Sequence, residues 1–465
     1  MRTILMMAFA LGLSFKPASA DLSELQKSLV ERRACEAAIW AMPAVGVYDI
    51  ELAIQRDAGA APGVVAYMSA PMDSRHGFLT ANDVTPYTFT GLTTKEGPVV
   101  IEVPPAGDKA AFFGTIVNAW QVPIVDVGTT GEDKGTGGKY LILPPGYEGD
   151  MPDSGYLVHE SKTYGVHFAF RPVAKNGGTH ADQAAYARTL KWYPYASAGN
   201  PPETEFVDVK ENPVNTLPVY DMTFFSDLNT VVQREPVLEQ DKAMMAMLAS
   251  LGIKRGEPFD PDEDMQEALL DGLQCAYDFL QARFVTEGGG FRKIWEDRQW
   301  SAFAINPEQA KQGFPFVDED SVLIDERAVQ YFYLTYLPRN LGGGTFYLGG
   351  LRDSDGALLN GKDTYKLTVP ADTPAADFWS VIAYSLQTKG FIKDAERVGL
   401  ATPNLPDMQV NEDGSADVYF GPVAPEGMES NWIPTGEDFF LLFRLYGPTE
   451  GWPKSGWKLP DLEKQ

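Results

Sequence analysis

The spacing of apolar residues changes twice along this chain, and that change limits the fold more than any motif does. From about residue 45 to 175, short apolar runs stand between turn signals: "VVIEVPP", "AAFFGTIVNAW", "KYLILPPGY" and "VHFAFRPV". Runs of this length, rich in β-branched and aromatic residues, predict strands. From 221 to 315 the period is helical. "EPVLEQDKAMMAMLASLGIKRG" stops near Gly252, and "DPDEDMQEALLDGLQCAYDFLQARF" starts at an acidic cap with Met265, Leu269, Leu273 and Tyr277 at helical spacing. Beyond "DERAVQYFYLTYLPRNLGGG" strands return as "TYKLTVP", "FWSVIAYS", "ADVYFGP" and "FFLLFRLYGP". A further helix is expected over 22–44, with Leu25, Leu29, Cys35 and Ile39 near one face and Pro43 at its end. The expected fold is mainly β with a helical segment: two β domains joined by helices.

The chain's 465 residues exceed one ordinary domain, and 34 Pro with 44 Gly suit a turn-rich β protein. The expected divisions are a leader over 1–20, a helix plus β domain over 21–220, a helical connection over 221–315 and a second β domain over 316–465. The leader reading rests on Arg2, the apolar stretch Ile4 to Phe15, and the small residues Ala18-Ser19-Ala20. It predicts cleavage after Ala20 and a periplasmic or secreted protein, with no later segment crossing a membrane. Lys and Arg number 38 against 64 Asp and Glu, a formal charge of −26. Such a surface repels phosphate backbones and anionic lipid, so nucleic acid is excluded as a partner and the acidity is read as a source of solubility.

Several strings carry a family likeness. "NAWQVPIVD", "GKYLILPPGYEG" and "RPV" resemble the N-terminal half of the bacterial DUF1254 family. "DSDGALLNGKDTYKLTVP", "DFWSVIAYS", "NEDGSADVYF", "NWIPTGEDFFLLFRLYGP" and "GWKLP" resemble the DUF1214 family, and the two commonly occur in this order. The resemblance implies two β-sandwich-like domains, the second jelly-roll-like, joined by helices. It implies no reaction.

Candidate chemistry therefore comes from the residues. His76, with Asp73 and Arg75, lies in the polar loop "DSRHGFLTANDVTPYTFTG" and is the candidate catalytic group, since a His beside an acid and a base suits proton transfer. The alternative is a loop whose groups bond one another. Asn118, Trp120 and Gln121 end an apolar strand, and Trp432 follows Asn431; amides and indoles together suit a saccharide. Arg444, a charge inside "FFLLFRLYGP", is a candidate for an anionic ligand or an internal ion pair. His159 and His167 flank "ESKTYGV" on an expected hairpin and could face one another, but no third ligand is named, so no metal and no cofactor are expected. "DSDGALLNG" looks like a calcium loop, yet Leu351 and Lys362 would fill its first and twelfth positions, so a β turn is the better reading. Cys35 and Cys275 form either one bridge or two buried thiols. There is no G-x-S-x-G and no dinucleotide fingerprint at a strand–helix turn. Two functions remain: binding of a small molecule or saccharide in a cleft between the β domains, or an exported hydrolase or lyase acting on a carbohydrate or ester.

Overall fold

A computed structural model describes residues 22–340, 344–449, 452 and 456–465. The expected leader lies outside these residues. The first half carries β1 (Val65–Tyr67), β2 (Thr88–Thr93), β3 (Val99–Val103), β4 (Ala110–Asn118), β5 (Pro123–Gly128), β6 (Gly138–Leu143), β7 (Leu157–Glu160), β8 (Gly165–Ala174), β9 (Lys191–Pro194) and β10 (Phe206–Asp208). They form a six-stranded sheet in the order β10-β1-β2-β8-β4-β5 and a four-stranded sheet in the order β7-β6-β3-β9. Alternate residues of the large sheet (Leu92, Ile116, Val166, Phe168, Phe170) pack on Val99, Ile101, Tyr140 and Ile142 of the small one. The period of two thus builds a two-layer sandwich.

The second half repeats the plan with β11 (Phe291–Lys293), β12 (Ser301–Phe303), β13 (Thr345–Gly350), β14 (Tyr365–Val369), β15 (Ala375–Ser385), β16 (Gly399–Ala401), β17 (Ala416–Gly421), β18 (Trp432–Pro434), β19 (Phe439–Pro448) and β20 (Glu463–Lys464). The sheets run β11-β12-β13-β19-β15-β16 and β18-β17-β14-β20. Leu441, Phe443 and Leu445 of β19 enter the core between them, against Leu367, Val418 and Phe420. Strands β11 and β12 lie inside the span expected to be helical and extend the second large sheet instead.

Helices α1 (Leu22–Ala58), α2 (His180–Ala187), α3 (Met222–Arg234), α4 (Lys242–Ser250), α5 (Glu263–Val285), α6 (Pro307–Gln312) and α7 (Ile324–Tyr331) complete the chain. Most of them share a third core with the outer faces of the two large sheets, through Phe89 on one side and Ile382, Tyr384, Phe440 and Leu442 on the other. This explains β19, whose first eight residues are all buried: a strand covered on both faces reads as an unbroken apolar run.

Helix α1 is the axis of that third core, and it corrects two expectations. Pro43 does not end it. Near the interruption, Arg327 donates to the Trp40 carbonyl at 3.0 Å and Gln121 to the Pro43 carbonyl at 2.8 Å, so backbone acceptors find tertiary donors. The helix is also long and apolar enough to cross a membrane, but 89% of its most apolar window is buried inside the fold. Its small residues permit close packing. A Cβ on Gly272 of α5 would lie 2.5 Å from the Glu31 carbonyl of α1. Beside that contact Cys35 and Cys275 form a disulfide, with Cα atoms 5.6 Å apart, which settles the open pairing.

Candidate functional site

The face of β8 opposite its sandwich core carries His167, Ala169 and Arg171, because strand residues two apart share a face. Arg171 stacks on Tyr87, its guanidinium carbon 4.9 Å from the ring centre. On the facing sheet, β19 brings Arg444 and Tyr446 to the equivalent face. Register places Arg444 between Tyr347 of β13 and Ser380 of β15. The segment after His76 supplies Asn82 and Asp83, and β15 supplies Tyr384. The result is a junction of two arginines and four tyrosines between the β domains.

Arg444 is 1% exposed. Its Nη2 donates to the Thr80 and Ala81 carbonyls at 3.2 and 3.4 Å and to the Tyr384 hydroxyl at 2.6 Å. Its Nε and Nη1, the Ser380 hydroxyl and Asp83 Oδ1 are all buried without a protein partner. Burial pushes the Asp83 carboxyl up to about 6 in spite of Arg444. Burial alone would raise the Tyr347 hydroxyl, but Arg171 and Arg444 together hold it below the ordinary tyrosine range. Burial takes Tyr446 the other way, up to about 12. Tyr87, Arg171 and Tyr347 are half-buried. Two guanidiniums among tyrosines, with Nε and Nη1 of Arg444 unpartnered, can hold a carboxylate or another oxyanion.

A second cluster sits farther along β8. His167, Glu51 and Tyr48 of α1, Arg234 at the end of α3 and Glu235 just after it line a cavity that admits about one water molecule. Arg234 grips Glu51 with two hydrogen bonds, at 3.0 and 3.2 Å. Glu235 accepts from the Tyr164 and Gly165 amides at 2.7 and 3.0 Å. His167 Nδ1 is buried without a partner, and burial lowers its pKa to about 4. Gly91 of β2 makes the space: a Cβ there would lie 2.6 Å from Glu51 Oε2 and 2.8 Å from His167 Nδ1.

The residues singled out from sequence are dispersed. Asp73, Arg75 and His76 do meet, but they bond each other and their loop. Asp73 takes Arg75 at 2.9 Å and Lys210 at 2.6 Å, contacts that hold its carboxyl well below the usual range against the opposing effect of burial. The His76 ring, 2% exposed, lies between Asp73 and the Val209 carbonyl, with Nε2 3.1 Å from the latter. Asn118 accepts from the Trp120 and Val122 amides at 2.9 and 3.0 Å, as a turn does. Trp120 packs on Trp40 at 4.5 Å, under Arg327. Gln121 is fully buried between the Pro43 carbonyl and the Tyr336 amide. Trp432 donates to the Gly421 carbonyl at 2.9 Å, away from the junction. Arg444 alone of these belongs to the polar junction. The expected His159–His167 hairpin is not formed: β7 and β8 lie in different sheets, and His159 bonds Glu132 at 2.7 Å. No group of three or more potential metal ligands occurs among the described residues. The Asp353 loop is a turn, with Gly356 at φ +83° and Asp353 Oδ1 accepting from the Asp355 and Ala357 amides.

Two family models match the chain in order: DUF1254 over residues 63–194 and DUF1214 over residues 344–450, each described as a protein of unknown function. The chain is a member of the tandem DUF1254–DUF1214 family. In this member the two matches fall on the two sandwiches, so Arg171 comes from the DUF1254 unit and Arg444 from the DUF1214 unit. Among solved structures, the VPA0106 protein from Vibrio parahaemolyticus is similar in fold, with TM-score 0.54 and 16% identity over 95% of this chain and 100% of that one. A putative uncharacterized protein from Burkholderia cenocepacia aligns at TM-score 0.35 and 9% identity, over 95% of this chain and 96% of that one. No curated protein matches.

Proposed function

We propose that this protein binds a small acid-bearing molecule, with a carboxylate-bearing saccharide as the best fit, between its two β domains. One observation carries the reading: the buried guanidinium of Arg444 keeps two N–H groups without a partner, and Arg171 from the other domain joins it around Tyr347. Buried N–H groups of a charged side chain left without partners are costly, and an anionic ligand would offset that cost. The chain's overall negative charge does not oppose this. Surface charges are screened beyond about 8 Å in physiological salt, whereas the two arginines act at contact. Tyrosine faces and hydroxyls, with the Asn82 amide, supply the mixed apolar and polar lining that sugars need.

Calorimetric titration with galacturonate and with galactose tests the reading. Binding of the acid and not the neutral sugar, lost on Arg444→Lys, is expected. Equal or absent binding of both would overturn it. We also propose export with residues 1–20 removed, on the strength of Arg2, the apolar stretch Ile4 to Phe15 and the small residues Ala18-Ser19-Ala20. Sequencing the mature N-terminus from the native host should begin at Asp21, and a start at Met1 would refute export by this leader.

A further inference from the structure

We propose that the junction also cuts its ligand: Tyr347 is the base and Tyr446 the acid of a β-elimination that cleaves a polyuronate chain at a sugar whose carboxylate Arg171 and Arg444 hold. The inference rests on the binding reading above and adds a reaction to it.

The geometry supplies three parts. Tyr347 stands directly across from Arg444, and Tyr446 lies two residues farther along β19 on the same face, opposite Thr345. Tyr347 and Tyr446 are therefore diagonal neighbours, about 7–8 Å apart at the backbone, with their side chains facing the same space. Each is fixed in place. Tyr347 packs on Phe303 with ring centres 5.2 Å apart, and Tyr446 stacks on Phe378 at 4.1 Å. The Tyr446 hydroxyl accepts from Asn82 Nδ2 at 2.8 Å, which leaves its own O–H free to donate. Burial and both guanidiniums act on each phenol: at Tyr347 the guanidiniums outweigh burial and favour the ionised form, while at Tyr446 burial outweighs them and favours the protonated form. Two like groups driven in opposite directions make an acid and a base.

The step balances without a co-reactant. Tyr347 Oη takes the proton from the carbon that bears the carboxylate. The electron pair left there moves onto the carboxylate as an enediolate, whose added charge the guanidiniums stabilise. It returns to form a carbon–carbon double bond as the neighbouring carbon–oxygen bond breaks. Tyr446 gives its proton to the departing glycosidic oxygen. Solvent then carries a proton from Tyr347 back to Tyr446. The products are a chain with a free hydroxyl and a chain ending in an unsaturated uronate.

The test uses the mature protein with oligogalacturonate and with oligomers of mannuronate and guluronate, followed by the ultraviolet absorbance of the conjugated double bond and by calorimetric binding. The expected result is elimination on at least one of these, with a rate that rises with pH as Tyr347 ionises. Tyr347→Phe should lose at least about 100-fold in rate while still binding. Tyr446→Phe should slow the step and move the alkaline limb of the pH profile. Circular dichroism checks that each variant is folded. Binding without any absorbance change would overturn the elimination and leave the binding reading standing. No binding of any of these acids would overturn both. Elimination unaffected by Tyr347→Phe would remove Tyr347 as the base.

Discussion

Arg444 and Tyr347 are cross-strand partners, the guanidinium carbon lying 5.2 Å from the centre of the tyrosine ring. The pair joins a residue that cannot lose its charge to one that the charge makes easier to ionise. Because the arginine keeps two N–H groups unpartnered, its contribution to folding should be small. Arg444→Met is expected to cost less than about 2 kcal/mol in urea unfolding, since a buried charge is replaced by an apolar chain of similar length. A loss of about 3–5 kcal/mol would instead mark the guanidinium as a structural pin.

Asp49 of α1 and Asp227 of α3 face each other and share a hydrogen bond, and the Asp49 carboxyl is pushed up to about 8, first by burial and then by the charge of Asp227. An unfolded Asp titrates near 4. The folded protein thus keeps a proton that the unfolded chain releases between about pH 4 and 8, so stability contributed here is lost as pH rises through that window. Asp49→Asn should flatten this slope and gain on the order of 1–3 kcal/mol at pH 9. An unchanged pH profile in the variant would refute the shared proton.

His167 has the opposite sign of effect. Its pKa is lowered to about 4, below the unfolded value near 6.5. Between those values the unfolded chain binds the extra proton, so stability falls as pH drops from about 6.5 to 4. His167→Gln should remove on the order of 2–3 kcal/mol of that acid-side loss. Monitoring the imidazole by NMR gives a direct check, and titration near the ordinary value would show that the ring is not buried neutral.

The Cys35–Cys275 bridge closes a loop of 240 residues. Loop-closure arguments give roughly 5–6 kcal/mol for a cross-link of this span. The Cys35→Ala, Cys275→Ala double variant should unfold at clearly lower temperature than the oxidised protein, and reductant should reproduce the shift in the parent. If neither lowers the midpoint, the bridge does not limit the unfolded chain.

Much of the sandwich plan was legible because a strand buried on one or both faces leaves a local trace. "VHFAFRPV" became β8, "AAFFGTIVNAW" became β4, and the polar turn at Asp353 was correctly separated from a calcium loop by the residues at its ends. Arg444 was legible for the same reason, as a charge in an apolar run. Arg171 left the same trace inside "VHFAFRPV", yet only the packing of the two domains, which brings both arginines to Tyr347, shows that it shares the junction with Arg444. Tyr347 left none, since an aromatic residue in "TFYLGG" reads as ordinary core. Glu51 was hidden by Pro43: the local rule ends the helix there, while tertiary donors and burial carry it on to Ala58. Asn118 and Gln121 were visible as polar groups, but their backbone partners, more than their residue types, decided that they hold a corner together.

The central position of α1 also sets an order of events during synthesis. A ribosome delivers this helix before either sandwich, yet its neighbours in α3, α5 and α7 and its disulfide partner arrive only after both sheets of the first sandwich. The growing chain must therefore hold a long apolar helix short of its disulfide partner until 240 further residues are made. Folding cannot finish one half at a time: a helix made before the first sandwich takes part of its core and its disulfide partner from beyond it.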